Sequence, residues 1–464
     1  MSTMYDARQR SELAHELAEA FLQGPWNADG VAERGSGCLD RWPGWMNSLA
    51  LRVVAVHRSP PAGQPGDLIA VIEGFLSEHP ARAGDFEPPR IIRLLAHEPA
   101  LRHERRRLDH TWPVAEIDSV TKLAELLELS DGQLAWLADV RGLERTVSEP
   151  KLRNYRYRTM PRRGGLPRVI EVPKARLKEI QRWLLHEILD HIPPHDAAHG
   201  FTRGRSVVSH ARLHTGQPAV LRLDLKDFFA SITAARVFGI YRVVGYAPPV
   251  AYALTGLSTN TVPGALWAAM SGVADPRLIQ AHFWLGRQLA TPHLPQGAPT
   301  SPALANLAAF RLDRRLTGLA RAAGLGYSRY ADDLTFSGPS RPRGRDREFE
   351  ELVGRIAREE GFSLNEGKSA LSTAGGRQSV CGIVVNVHPN VVRAEYDRLK
   401  AILHNSARRG PESQNRTAVA DFEAHLRGRI AWVASLNPGR GESLRRRFAE
   451  IDWGHPPDTG GSDN

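Results

Sequence analysis

The chain's single Asp-Asp pair, Asp332 and Asp333, lies in "YSRYADDLTFSG", where aromatics and β-formers on both sides predict a hairpin with the acids at its tip. A third acid, Asp224, ends the polar side of "AVLRLDLKDFF". There Leu221, Leu223 and Leu225 alternate with Arg222, Asp224 and Lys226, as a half-buried strand requires. Taken singly, these are a polar turn and a surface acid. The acids are 108 and 109 residues apart in sequence, and if the two strands are neighbours, three carboxylates converge. Convergence of like charges needs a positive partner. A hard, oxygen-preferring cation such as Mg²⁺ provides one, and two such ions about 3.5–4 Å apart clamp an in-line displacement at phosphate.

Several elements must position these acids. "RYRTMPRRGGLPRVIEVP" predicts a basic hairpin around Gly164 and Gly165, and "ARLKEIQRWLLHEILDHI" an amphipathic helix. "IDSVTKLAELLELSDGQLAWLADV" predicts two helices, the second capped by Ser130 or Asp131. Residues 233–293 read as mostly helical, "SPALANLAAFRLDRRLTGLA" as one helix, and "DREFEELVGRIAREEGF" as another ending at Gly361. "VVRAEYDRLKAILHNSARRG" and "DFEAHLRGRIAWVASL" predict basic helices, whose Arg density and Trp432 suit a duplex backbone. Towards the N-terminus, "SELAHELAEAFL" has helical spacing, "LALRVVAVH" reads as a strand and "SPPAGQPGD" as a loop.

Composition narrows the function classes. The 464 residues predict two to four units, and a 42% hydrophobic fraction supports packed cores. A net charge of +10, with seven Lys and 54 Arg, favours a polyanionic partner, although a GC-rich genome enriches Arg as well. Two cysteines, Cys38 and Cys381, exclude a disulfide framework or a Cys-rich zinc site and fit a reducing cytoplasm. The N-terminus carries acids early and lacks the apolar core of a signal peptide. No run is long and apolar enough for a membrane span, so no membrane partner is expected.

The ordered set "LRLDLKDFFASI", "LPQGAPTSPALANL", "YSRYADDLTFSG", "GFSLNEGKS" and "VCGIVVN" resembles the palm motifs of reverse transcriptases. "GGLPRVIEVPKARLKEIQRWLL" and "AHGFTRGRSVVSHA" resemble the fingers motifs of their bacterial members. The resemblance implies an α+β right-hand polymerase fold. Fingers and a palm with a small antiparallel sheet would occupy 116–390, a helical thumb 391–454 and a flexible tail 455–464, after an N-terminal extension, 1–115, of unassigned role. It also implies that Asp224 and Asp332 bind two Mg²⁺ ions directly, that Asp333 supports them, and that the Leu225 carbonyl adds an oxygen. Lys368 matches a lysine that protonates the pyrophosphate leaving group. Arg168 matches a fingers arginine that grips the triphosphate, with Arg162 or Arg163 as helpers. Phe229 falls where an aromatic crowds the 2′-hydroxyl of the incoming nucleotide and so favours deoxynucleotides. Gln296 and Gly297 match the segment beneath the nascent base pair, Gly297 allowing close backbone approach. Gly204, Arg205 and Ser206 match a template or primer contact. A core phenylalanine at 229, an exposed turn lysine at 368 and a simple loop at 295–299 are the alternatives.

The compact layout most resembles the retron type, since the thumb follows directly after "VCGIVVN" and no nuclease-like cysteine/histidine cluster follows. Two features depart from that type: Val380-Cys381-Gly382 replaces the usual Val-Thr-Gly, and an Asn-Ala-x-x-His signature is absent from 233–293. The resemblance implies a structured non-coding RNA serving as template and primer, dNTP substrates, an RNA–DNA duplex product and a role in phage defence, with room for an effector protein. A group II-like, diversity-generating or abortive-infection-type reverse transcriptase is the alternative. A catalytically silent RNA-binding protein is a third reading.

Overall fold

The computed structural model describes residues 7–21, 26–39, 41–58, 66–78, 89, 112–161, 165–270, 278–339 and 345–454. The expected loop "SPPAGQPGD" lies outside these residues at 59–65, while its Gly66 and Asp67 instead open the helix Gly66–Glu78; the hairpin tip at 162–164 with Arg162 and Arg163, and the tail at 455–464, also lie outside them.

In chain order the helices begin with α1 (Ala7–Phe21), α2 (Ala28–Gly37), α3 (Met46–Val56), α4 (Gly66–Glu78), α5 (Val120–Leu126), α6 (Asp131–Leu137) and α7 (Leu143–Thr146). Strands β1 (Tyr155–Met160) and β2 (Arg168–Pro173), helices α8 (Ala175–Glu187) and α9 (Val207–Leu213), and strand β3 (Ala219–Asp224) follow. Next come α10 (Ala234–Val244), α11 (Pro248–Ser258), α12 (Gly264–Met270), α13 (Ile279–Leu289), α14 (Ser301–Ala308) and α15 (Phe310–Ala322). The order continues with β4 (Gly326–Tyr330), β5 (Asp333–Gly338), α16 (Arg345–Glu359), β6 (Ala370–Thr373), β7 (Ser379–Val380) and β8 (Ile383–Val384). Helices α17 (Arg393–Arg409), α18 (Phe422–Leu436) and α19 (Pro438–Ala449) close the described chain.

The chain forms two compact units. The first gathers residues up to Phe201 with Leu225–Leu316 and Asp346–Asn365. Helices α1 to α4 bury a common core that includes Leu17, Phe21, Met46, Leu49, Val53 and Ile72. The expected strand "LALRVVAVH" is therefore wrong: it lies in α3. Leu49, Ala50 and Val53 are buried at helical spacing, while Leu51 is 62% exposed, so period-two burial fails and packing overrides β-branched propensity. Ser119 and Ser130 cap α5 and α6, the latter in a capping box with Gln133. Strands β1 and β2 pair antiparallel from Tyr155↔Pro173 to Met160↔Arg168, as expected of that segment. The single helix expected over "SPALANLAAFRLDRRLTGLA" is interrupted at Ala309, which separates α14 from α15.

The second unit gathers Thr202–Asp224, Thr317–Arg345 and the chain from Glu366. Its four-stranded antiparallel sheet runs β4-β5-β3-β6. Strand β3 is central, with Val220, Leu221 and Leu223 buried, so both of its faces are covered. The β7–β8 hairpin turns through Cys381 and Gly382, both at positive φ (+47° and +82°). Helices α17, α18 and α19 pack around Leu399, Leu403, Leu426, Ile430 and Leu444. Gly361, in the first unit at φ +76°, follows α16, where the sequence placed that helix's end.

Candidate active site

Alternation in β3 brings Asp224 to the strand's last position, directly opposite Asp333, the first residue of β5. Ala331 and Asp332 form the two-residue turn between β4 and β5, with Tyr330 paired to Asp333. Ala331 has φ +57°, and its carbonyl accepts a hydrogen bond from Arg329 Nη1 at 2.9 Å. Arg329 is fully buried, so the turn is held from within the unit. The three aspartates thus lie at neighbouring positions of one sheet end.

The site's electrostatics follow from that placement. Asp224 is buried rather than solvent-facing, and Lys368 Nζ donates to its Oδ1 at 2.5 Å. Burial first, then the charges of Asp332 and Asp224, push the Asp333 carboxyl above the usual range. The Cys381 thiol donates to Asp333 Oδ2 at 3.7 Å, a distance that makes it a weak partner. Burial first, then Asp333, push that thiol up to about 12, so it stays protonated as a donor.

As the side chains stand, no group of three or more His, Cys, Asp or Glu among the described residues is arranged to hold a metal ion. Lys368 engages one oxygen of Asp224, and Cys381 faces one of Asp333. The donor chemistry nevertheless fits a hard divalent cation, because three hard-oxygen carboxylates crowd one place and one of them already carries an ammonium. Leu225 follows Asp224 in the chain and bridges to Leu364 in the first unit.

The remaining expected residues are spread over the two units. In the second, Gly204 has φ +75°, and Ser206 caps α9 in a reciprocal box with Ser209, so its hydroxyl is committed to the backbone. Arg205 is half-buried between them. In the first, Arg168 is exposed at the start of β2. Phe229 is half-buried, its ring 6.3 Å from Phe201 and 5.7 Å from Phe228. The core phenylalanine of that pair is Phe228, at 4% exposure. The Gln296 carbonyl accepts from Glu171 N at 2.9 Å. Gly297 has φ +135°, and a Cβ there would stand 2.8 Å from the Glu171 carbonyl, so the close approach expected of Gly297 is made to β2.

Two buried polar networks escaped the sequence reading. Glu171, 1% exposed, accepts from His293 Nε2 (3.0 Å), Asn260 Nδ2 (2.7 Å) and Gln296 N (3.4 Å). His293 also donates from Nδ1 to the Thr291 carbonyl at 2.7 Å. Both of its ring neighbours are acceptors, which favours the doubly protonated imidazolium. Burial alone pulls His293 down, but the charge and hydrogen bond of Glu171, with the Thr291 carbonyl, raise its pKa above the ordinary value. In the second unit, Ser328 Oγ lies 2.7 Å from both His210 Nδ1 and His214 Nε2, and His214 Nδ1 lies 2.7 Å from Ser337 Oγ. The i, i+4 histidines of "SHARLH" were the available signal for this second network.

Comparison with known proteins follows the same segments. The family described as reverse transcriptase (RNA-dependent DNA polymerase) matches residues 160–397. The retron Mx65 reverse transcriptase of Myxococcus xanthus is 41% identical over 297 residues, covering 64% of this chain and 65% of that protein. The retron Mx162 reverse transcriptase of the same organism is 33% identical over 366 residues, covering 76% and 70%. The retron Ec86 reverse transcriptase of Escherichia coli is 32% identical over 255 residues, covering 54% and 69%. The chain belongs to the reverse transcriptase family, whose members are RNA-dependent DNA polymerases, and within it to the retron type.

Proposed function

We propose that this chain copies part of a partner structured non-coding RNA into short DNA, using dNTPs and priming from a 2′-hydroxyl within that RNA. The observation that carries this reading is the sheet end where Asp224 faces Asp333, with Asp332 in the adjoining turn and the Lys368 ammonium on Asp224. In this reading Asp224 and Asp332 bind two Mg²⁺ ions, Asp333 supports them and the Leu225 carbonyl adds an oxygen. When bound, the ions neutralise the carboxylates, activate the attacking hydroxyl and stabilise charge on the leaving pyrophosphate.

The chain's own residues supply binding and orientation. Arg168, exposed on β2, offers a guanidinium fork to the triphosphate. Phe229 presents a ring against the 2′ position and selects deoxynucleotides. Gln296 and Gly297, tied to β2 through Glu171, form a fixed ledge for the nascent pair. Lys368 carries the proton that the leaving pyrophosphate takes up. Gly204, Arg205 and Ser206 contact template or primer. Fingers and palm occupy 116–390, and the thumb 391–454 with the basic helices α17 to α19. Residues 1–115 form an extension of unassigned role. No helix among the described residues is long and apolar enough to cross a membrane; a cytoplasmic setting and a part in phage defence are what the retron resemblance implies.

The test is to purify the protein from its native host and sequence the co-purifying nucleic acid, beside an Asp332→Asn/Asp333→Asn double variant. A discrete RNA joined to short DNA, with the DNA lost in the variant, is the expected result. A discrete RNA without DNA in either sample favours a silent RNA-binding protein. Heterogeneous RNA with extension of added primers favours a reverse transcriptase outside the retron type.

A further inference from the structure

Helix α13 is amphipathic in an unusual sense. Its inner face carries His282, Leu285, Gly286 and Leu289 and is fixed against Trp267. The His282 and Trp267 rings stack at 4.6 Å and 16°, Leu289 is buried, and a Cβ on Gly286 would stand 2.5 Å from Trp267 Nε1. That fit sets the helix's rotation. The outward face is therefore Ile279, Phe283, Trp284 and Arg287, and the first three are 60%, 57% and 50% exposed. Outward faces of helices usually carry charged and polar side chains, and among the described residues this aromatic face stays exposed.

Three observations say what covers it. The Phe283 and Trp284 rings are edge-to-face, with centroids 5.5 Å apart, and present two differently oriented π-faces. The Arg287 guanidinium carbon lies 5.9 Å from one ring and 5.7 Å from the other, so a cation is already placed beside the platform. The surrounding sequence is almost free of acids: between Asp227 and Asp313 the one carboxylate is Asp275, against Arg236, Arg242, Arg277, Arg287 and Arg311. Exposed aromatics with an adjoining Arg, in a stretch where Arg outnumbers acid five to one, are complementary to unpaired nucleobases on a phosphate backbone. Bases stack on the rings, and the cation meets the phosphates.

We propose that the outer face of α13 is a docking platform for a single-stranded segment of the partner RNA, stacking its bases on Phe283 and Trp284. The choice of RNA rests on the polymerase reading above, and the surface itself is independent of the catalytic aspartates. The test is fluorescence anisotropy of the full chain with a short unstructured RNA and with a blunt RNA duplex at physiological salt. Phe283→Ala/Trp284→Ala is expected to weaken single-strand binding about tenfold or more, since it removes both rings on which bases stack. Duplex binding is expected to hold, and Trp284→Phe to bind nearly as wild type. Should the double variant fold poorly, Arg287→Glu is expected to weaken single-strand binding as well. Unchanged single-strand affinity in the double variant and in Arg287→Glu overturns the proposal. So does intact RNA affinity combined with a shift to smaller size in gel filtration, which assigns the face to a protein contact. Asp332→Asn separates the two readings: it is expected to lose primer extension while keeping at least wild-type RNA affinity.

Discussion

Buried or half-buried acids behave oppositely in the two units. In the first unit, Glu171 is surrounded by donors from His293, Asn260 and the Gln296 backbone, and it in turn raises the pKa of the buried His293. In the second unit, Asp224, Asp332 and Asp333 share one sheet end with a single ammonium and a weakly donating thiol. The first arrangement is electrostatically complete and holds β2 against the Gln296–Gly297 loop. The second is left short of positive charge: burial first, then the charges of Asp332 and Asp224, push the Asp333 carboxyl upward. A satisfied buried acid stabilises structure, whereas an unsatisfied cluster is a place where a cation or a reaction is expected.

The comparison can be broken at several points, and the largest effect is expected at the unsatisfied cluster. Asp224→Asn should lower primer extension about a thousandfold or more, several kcal/mol of lost transition-state stabilisation, with a melting temperature no lower than wild type. Primer extension beside calorimetry measures both. At the satisfied cluster the burden falls on stability. Glu171→Ala strips His293, Asn260 and the Gln296 N–H of their buried acceptor and should destabilise the fold by about 3–5 kcal/mol, read by urea unfolding. Gly297→Ala places a Cβ against the Glu171 carbonyl at φ +135° and should cost about 1–3 kcal/mol in the same assay.

The smallest effect is a pH dependence. His293 has a raised pKa in the folded state, so it holds its proton more tightly there than in the unfolded chain. Its contribution is whole below about pH 6.5 and is lost as pH rises through the folded value. Melting temperature followed across that range should fall in wild type and flatten in His293→Gln. A wild-type curve that rises with pH there and keeps its slope in the variant would contradict the imidazolium assignment.

How much of this was legible in sequence depended on whether the signal was local. The β3 alternation and the β4–β5 hairpin around Asp332 could be read because each is encoded in a few consecutive residues with period two. Ser130 could be read as a cap for the same reason. Helix α3 was misread because its valines carry strand propensity while its burial, set by packing among α1 to α4, follows helical spacing. The His210–Ser328–His214–Ser337 chain was not legible, since it exists only once α9 packs against strands more than a hundred residues later. Glu171 gave no warning either: in "VIEVP" it looks like the wet position of a hairpin, and only His293, 122 residues away, shows it to be buried. For Lys368, the motif "GFSLNEGKS" supplied a position, and the structure adds that its ammonium sits on Asp224.

The measurement that tests the central claim most directly is calorimetric melting of wild type and Asp332→Asn, each in chelator and in excess Mg²⁺. If the aspartate cluster is held short of positive charge so that it can take up cations, wild type gains stability with Mg²⁺. Asp332→Asn then melts at or above wild type in chelator and responds little to the ion. A variant that melts well below wild type in chelator and still gains fully from Mg²⁺ would make Asp332 a structural residue and place the cation elsewhere.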